Sequence, residues 1–431
     1  MQYIQYPDRN DWRQLLKRPS ADNKSVDQTV AAILQRVKNE GDRALFAITQ
    51  EVEERLLTAI ELPKSEWECS SSRISDSLKA AVNQAIKNIR CFHESQADNV
   101  SKIETMQGVF CWRKSLPVQR VGLYIPGGTA PLFSTLLMLA IPAKIAGCNE
   151  LYVCTPADKN GMVHPAILYA AQQTGVTKIF TVGGAQAIAA LAYGTETIPP
   201  VDKIFGPGNQ YVTRAKQQVN AEGVAIDMPA GPSELAVIAD AYCVPEFVAA
   251  DLLSQAEHGM DSQVILVSDS RTVIERVQQS LNVQLERLLR KDTAVAALEN
   301  SKAILVNSLD EGMDLLNEYA PEHLIIACRH FETLADKVMN AGSVFLGNYA
   351  AESVGDYASG TNHTLPTGGF AKAFSGVSLD SFLKKTTFQY LTAAGLKNIA
   401  PIVKEMALAE SLDAHANAIE IRLKQIENEI N

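Results

Sequence analysis

Two textures divide the chain. Over the first hundred residues apolar positions recur at helical spacing. Val26, Val30, Ile33, Leu34 and Val37 fall on one face, and Leu78, Val82, Ile86 and Ile89 form a second amphipathic run. Ser25 and Gln28 have the spacing of a capping box and Gly41 suits a C-cap, which predicts a helix between them. From about Arg120 short β-branched runs alternate with helical stretches, at 121–125, 151–154, 178–182, 201–205 and 224–227. A second series follows at 235–239, 263–267, 303–306, 324–327 and 343–346. Short apolar runs between helices predict parallel strands buried on both faces. Two consecutive series predict two doubly wound α/β layers. After about Val377 the strand-like runs stop, and Ile402, Met406, Leu412, Ile419 and Leu423 read as amphipathic helix. A tail with so little core of its own should pack on something else, a partner subunit being one option.

The longest apolar stretch, 130–146, is broken by Pro131, Pro142 and Lys144 and is shorter than the about 20 residues of a membrane span, so it reads as a buried helix. The polar N-terminus lacks the apolar core of a signal peptide. With 46% apolar and 20% charged residues, the 431-residue chain has a globular composition and material for two or three domains. A net charge of −10 argues against a nucleic-acid surface but leaves room for a small anion, because local backbone dipoles override net charge. Seven dispersed cysteines without a CxxC pair fit a reducing compartment, which makes a cytoplasmic, soluble protein the expectation.

Several segments carry chemistry. Tyr-Ile-Pro-Gly-Gly-Thr at 124–129 and Gly-Pro-Gly-Asn at 206–209 each run from a predicted strand into a helix, where glycines let backbone approach a ligand and helix N-termini favour anions. A tight strand-to-helix turn explains them equally well, and neither is GxGxxG. Gln255 and His258 are three apart at a predicted helix end, so both can point one way, although a capping histidine before Gly259 reads the same. Glu322 and His323 can share a site only at the end of a strand, where Pro321 puts them, and together offer two proton-transfer groups. The Gly/Ser/Thr-rich stretch 352–363, with Glu352, Asp356 and His363, reads as a loop. Glu410 and His415 fall in the helical tail and read as surface residues. Three imidazoles with Asp356 and Gln255 can furnish an N/O site for a metal such as zinc, though without a close-spaced ligand motif.

In order along the chain, these segments resemble the histidinol dehydrogenase family. The resemblance runs through YIPGGTAPLF from 124, FGPGNQYVT from 205, LLSQAEHGMDSQ from 252, APEHLII from 320, AESVGDYASGTNHTLPT from 351 and LAESLDAHANAI from 408. It covers most of the chain from about Arg120 to Glu420, while the chain before Cys111 carries little of it. The resemblance implies an NAD-dependent, zinc-dependent dehydrogenase that oxidises L-histidinol through L-histidinal to L-histidine, the last steps of histidine biosynthesis. Carried over residue by residue, Gln255, His258, Asp356 and His415 are the implied ligands of one zinc per subunit. His323 is the implied base for the alcohol proton and Glu322 the base for water. Ser233, His363 and Glu410 join the four ligands and His323 in the implied substrate site, and Tyr124, Gln186 and Asn209 are the implied NAD contacts.

The family pattern also implies a homodimer whose C-terminal tail completes the partner's site, and incomplete Rossmann-like domains. The expected division is an N-terminal extension at 1–20, a first α/β domain at 21–123 with 240–376 on the substrate and zinc side, a second at 124–239 on the NAD side, and a helical dimerisation tail at 377–431. The rivals are a paralogue oxidising another primary alcohol, and a metal-dependent hydrolase using Glu322 without a nicotinamide.

Overall fold

The computed structural model describes residues 1–19, 23–98, 100–127 and 131–429. Its strands, in chain order, are β1 (Gln2–Gln5), β2 (Ile103–Met106), β3 (Val109–Pro117), β4 (Arg120–Tyr124), β5 (Glu150–Cys154), β6 (Lys178–Phe180) and β7 (Lys203–Phe205). There follow β8 (Ala225–Ile226), β9 (Glu234–Ala239), β10 (Gln263–Ser268), β11 (Lys302–Leu305), β12 (His323–Ala327), β13 (Ser343–Leu346) and β14 (Leu383–Leu391). The ten strands β4 to β13 fall on the ten apolar runs read from the sequence.

They form two parallel sheets. One has the order β6-β5-β4-β7-β8, the other β1-β11-β10-β9-β12-β13. Helices cover both faces, which is why the strands are apolar throughout rather than alternating. In β9, Leu235, Val237 and Ala239 enter one core while Ala236 and Ile238 enter the core on the opposite face. The predicted buried helix is Phe133–Ala146, which follows β4 and is apolar on all sides. In each sheet the chain works outward from a central strand and then returns to its other side. This makes a switch point between β4 and β7 in one sheet and between β9 and β12 in the other.

By contacts the chain splits into two compact units, Met1–Gln96 with Val118–Phe382, and Ala97–Pro117 with Leu383–Asn431. Both parallel sheets lie in the first. The division within it differs from the expected one. Val26, Val30, Leu34 and Val37 share a core with Tyr124 and Ile204, and Val82 and Ile89 share one with Val121 and Leu137, so the helices of 23–94 cover the five-stranded sheet. The six-stranded sheet instead gains β1 from the N-terminus and β9 from the segment expected on the NAD side. Periodicity shows which helix face is buried but not which sheet buries it. The helix predicted from Ser25 spans Asn23–Glu40, so Ser25 lies within its first turn rather than at the cap.

The second unit is an antiparallel sheet, β14-β3-β2, with the helices Ala393–Ala409 and Asp413–Asn428. β14 corrects the expectation that strands end near Val377. Its sequence is half polar, and its partner β3 lies far upstream, from Leu383↔Pro117 to Leu391↔Val109, so no local hairpin signal marks it. Trp112 stacks on Phe388 and Phe110 on Tyr390 across that pair. Among the described residues no helix is long and apolar enough to cross a membrane.

Candidate active site

At the switch of the six-stranded sheet, ionisable side chains gather at the amino ends of β9 and β12. His323 is the first residue of β12 and Glu322 precedes it. Facing alternation has not yet begun there, so both reach one place, with Glu322 Oε2 3.8 Å from His323 Nδ1. Glu234, the first residue of β9, holds both through its backbone. Its N–H donates to Glu322 Oε2 at 2.8 Å, and its carbonyl faces His323 Nδ1 at 3.4 Å. A proton on Nδ1 directed at that carbonyl leaves the Nε2 lone pair as the basic position.

Two helices close the site. Gln255 lies in the last turn of Pro245–Ala256 and is fully buried. Both neighbours of its amide are satisfied when the nitrogen donates to Glu352 Oε1 and the oxygen accepts from the Glu234 N–H at 3.1 Å. His258, past the helix end, is exposed as a residue. Its ring is close enough to Asp356 and His323 to feel their charge, and desolvation lowers its pKa. The segment expected as loop begins with a short helix, Glu352–Tyr357, which sets Glu352 and Asp356 one turn apart. Gly355 between them abuts the Phe345 ring, where a Cβ would not fit. Its glycine and serine content hid this turn in the sequence.

His323 Nδ1 is 3.7 Å from Glu352 Oε1 and its Nε2 is 3.4 Å from Asp356 Oδ1. His363 Nδ1 lies 2.8 Å from the Asp356 carbonyl and its Nε2 3.0 Å from Thr135 Oγ1. Thr135 belongs to the helix that follows β4, so the two layers meet at His363. Ser233 is half-buried immediately before Glu234. Gln255, His258, Glu322, His323, Asp356 and His363 therefore surround one site. Glu410 and His415 belong to the second unit, where both are exposed.

Burial raises the Glu322 and Glu352 carboxyls to about 8. Burial also depresses His323, but the surrounding carboxylates of Glu322, Asp356 and Glu352 outweigh it and push the imidazole up to about 10. Asp356 is held below the usual carboxylate range because His323 overcomes its desolvation. Three carboxyls thus crowd one imidazole in a low-dielectric place. His323 Nε2 and Asp356 Oδ1 find no hydrogen-bond partner among the described residues. His323, Glu352 and Asp356 offer ligand atoms all within 4.8 Å of one another. Buried carboxyls whose ionisation only a nearby positive charge can support, with unpartnered ligand atoms on His323 and Asp356, suit a cation, and amide, imidazole and carboxylate donors suit zinc.

The other switch point supplies a crevice at the carboxyl ends of β4 and β7. Tyr124 ends β4; its hydroxyl accepts from the Gly184 N–H at 3.1 Å, and burial pushes its phenol up to about 12. Gln186, in the first turn of the helix Gly184–Tyr193, donates to Glu53 Oε1 at 3.1 Å. Asn209 caps the helix Gln210–Ala221, accepting from the Tyr211 and Val212 N–H groups. Gly206 has φ 127°, and a Cβ there would run into the Tyr124 carbonyl oxygen, so only glycine brings β7 this close to β4. A buried ion pair fixes it: Lys216 Nζ donates to the Gly206 carbonyl at 2.8 Å, and Asp227 Oδ2 accepts the Gly206 N–H at 2.8 Å. Gly128 and Thr129 of the first glycine segment lie outside the described residues.

Glu234, Glu352 and the Lys216–Asp227 pair were not assigned roles from sequence. Glu234 had a signal, as a lone charge opening a wholly apolar strand.

The family model described as histidinol dehydrogenase matches residues 16–423. A histidinol dehydrogenase of Bacteroides thetaiotaomicron is 56% identical over 426 residues, covering 99% of this chain and 100% of that one. One from Xylella fastidiosa is 49% identical, covering 96% and 98%. The crystal structure of histidinol dehydrogenase from Elizabethkingia anophelis superposes with a TM-score of 0.97 at 50% identity, over 99% of each chain. An acetylating aldehyde dehydrogenase from Geobacillus thermoglucosidasius, at 13% identity and a TM-score of 0.51 over 89% of this chain and 94% of that one, shares the fold alone.

Proposed function

From the premise that the chain belongs to the histidinol dehydrogenase family and is an oxidoreductase, we propose that it oxidises L-histidinol to L-histidine in two NAD-linked steps at one zinc-assisted site, closing histidine biosynthesis. The observation that carries this reading is the buried pair of Glu322 and His323, an imidazole and a carboxylate side by side on one strand end. Two oxidations at one carbon involve proton removal from an alcohol and then from water, and this pair places a proton acceptor of each kind at one site.

His323 Nε2, neutral once bound zinc offsets the carboxylate charge that otherwise holds the ring protonated, takes the hydroxyl proton as the first hydride leaves. The aldehyde must then be hydrated, and Glu322, which burial raises to about 8 and which a bound cation draws back toward the carboxylate, takes the proton from the attacking water. Burial of both groups keeps the aldehyde from solvent between the steps. Ser233 and His363 line the substrate, and Tyr124, Gln186 and Asn209 line the dinucleotide. NAD, when bound, accepts the hydride of each oxidation. Gln255, His258, Asp356 and His415 hold the zinc, which when bound offsets the carboxylate charge and orients the substrate's nitrogens.

His415 and Glu410, exposed in the second unit, serve the partner subunit in a cytoplasmic homodimer. That arrangement has its own test. His323→Ala and His415→Ala proteins, each inactive alone, are dissociated, mixed and reassociated. Crossed tails give hybrids with one intact site and restore about a quarter of wild-type turnover, whereas a tail serving its own subunit restores none.

The function itself is tested with purified protein, NAD and L-histidinol, followed by NADH absorbance. Turnover should vanish on chelation and return with zinc. No turnover with histidinol, but turnover with another primary alcohol, would overturn the substrate, and turnover indifferent to chelation would overturn the metal.

A further inference from the structure

Arg18 lies in the N-terminal segment, which has no part in the chemistry above, yet it reaches the place from which both bases are held. That segment is itself fixed. β1 pairs with β11 from Gln2↔Lys302 to Gln5↔Leu305, and Trp12 is buried in the core on one face of the six-stranded sheet. Arg18 Nε then donates to Glu234 Oε1 at 2.5 Å and a terminal nitrogen to Glu234 Oε2 at 2.9 Å, a bidentate fork on a carboxylate only 2% exposed. The same nitrogen donates to the Tyr319 carbonyl at 2.7 Å, and the guanidinium lies 4.1 Å over the Tyr319 ring. The Gly368 N–H donates to Glu234 Oε1 at 2.8 Å.

Both anchor points matter to the site. Glu234 is the residue whose N–H meets Glu322 and whose carbonyl faces His323. Tyr319 and Ala320 are the last residues before Pro321, Glu322 and His323, and Ala320 sits in the left-handed region at φ 53°, unusual for a residue with a Cβ. A backbone turned this way persists only where its surroundings hold it. One planar cation thus ties the start of β9 to the lead-in of β12. A bidentate fork with a stacked face is the geometry that lysine cannot reproduce.

We infer that Arg18 is a positioning residue, which fixes Glu322 and His323 relative to each other by clamping Glu234 to the Tyr319–Ala320 turn. The inference rests on the reading of those two residues as the bases. It gives the N-terminal segment a use in turnover rather than in binding.

The test uses full-length, zinc-loaded Arg18→Ala and Arg18→Lys proteins, with kcat and KM for L-histidinol, zinc content and thermal melting. Misplacement of a reacting group by about an ångström lowers turnover about a hundredfold, so kcat should fall about that much in Arg18→Ala. A smaller fall, about tenfold, is expected in Arg18→Lys, which keeps the charge but loses the fork. KM and zinc content should stay near wild type in both. If Arg18→Ala does not fold, Arg18→Lys decides, because it still neutralises Glu234. Wild-type kcat in a folded variant, or a loss confined to KM or matched by loss of zinc, overturns the inference. His323→Ala and Glu322→Gln are measured alongside. Full activity in either removes the base assignment itself, whereas their inactivity beside an unaffected Arg18→Lys removes only the positioning role.

Discussion

Replacing His323 with alanine should lower kcat for L-histidinol by about 10²- to 10⁴-fold, the contribution of a well-placed proton acceptor, with bound zinc near one per subunit. The expectation follows from where the imidazole stands. It opens β12 at 3% exposure, its Nδ1 faces the Glu234 carbonyl, and its Nε2 has no hydrogen-bond partner among the described residues. Nε2, 3.4 Å from Asp356 Oδ1, is the nitrogen left to take a proton once bound zinc offsets the carboxylates that otherwise hold the ring protonated. The same ring is grouped with Glu352 and Asp356 closely enough to be a ligand instead. Metal analysis separates the two roles: a His323→Ala protein that loses its zinc makes His323 a ligand, and one that keeps zinc but not turnover makes it the base.

The second large effect is expected away from the bases, at Lys216. Lys216 and Asp227 are both buried and paired, and between them they engage both backbone polar groups of Gly206. Lys216→Met removes the cation paired with Asp227 and leaves its buried carboxylate accepting from the Gly206 and Met228 N–H groups. Breaking a buried pair from one side costs about 3–5 kcal/mol, read as a lowered denaturant midpoint. The KM for NAD should rise more than the KM for histidinol, because the loop that loses its support carries Asn209. A double change, Lys216→Met with Asp227→Leu, removes the orphan charge and should recover much of the stability while leaving the NAD defect. If the double variant also regains wild-type KM for NAD, the pair serves the fold alone.

These two sites differ in how far the sequence reveals them. The parallel strands were legible because burial on both faces writes an uninterrupted apolar run, as in β9 and β10. The pairing of Glu322 with His323 was legible because Pro321 marks the strand end where neighbouring side chains can converge. β14 was not, since its half-polar sequence pairs with a strand that no turn connects to it. Nor was the burial of 23–94 against the five-stranded sheet, because helical periodicity carries no address. Glu352 was hidden in a stretch whose glycine and serine read as loop, although its four-residue spacing from Asp356 is helical. Lys216 and Asp227 are eleven residues apart and meet only because the helix Gln210–Ala221 folds back along β7 and β8. Glu410 and His415 are a different case. Their assignment comes from the family resemblance, and in the structure both are exposed on the second unit.

The central claim is that one buried site carries out both oxidations without releasing the aldehyde. It is tested most directly by giving the zinc-loaded enzyme a limiting amount of L-histidinol with excess NAD. NADH and products are then counted at completion, with an aldehyde trap in solution. Two NADH per histidinol, L-histidine as the product and no trapped histidinal are expected. One NADH per histidinol with the aldehyde recovered in the trap would contradict the account.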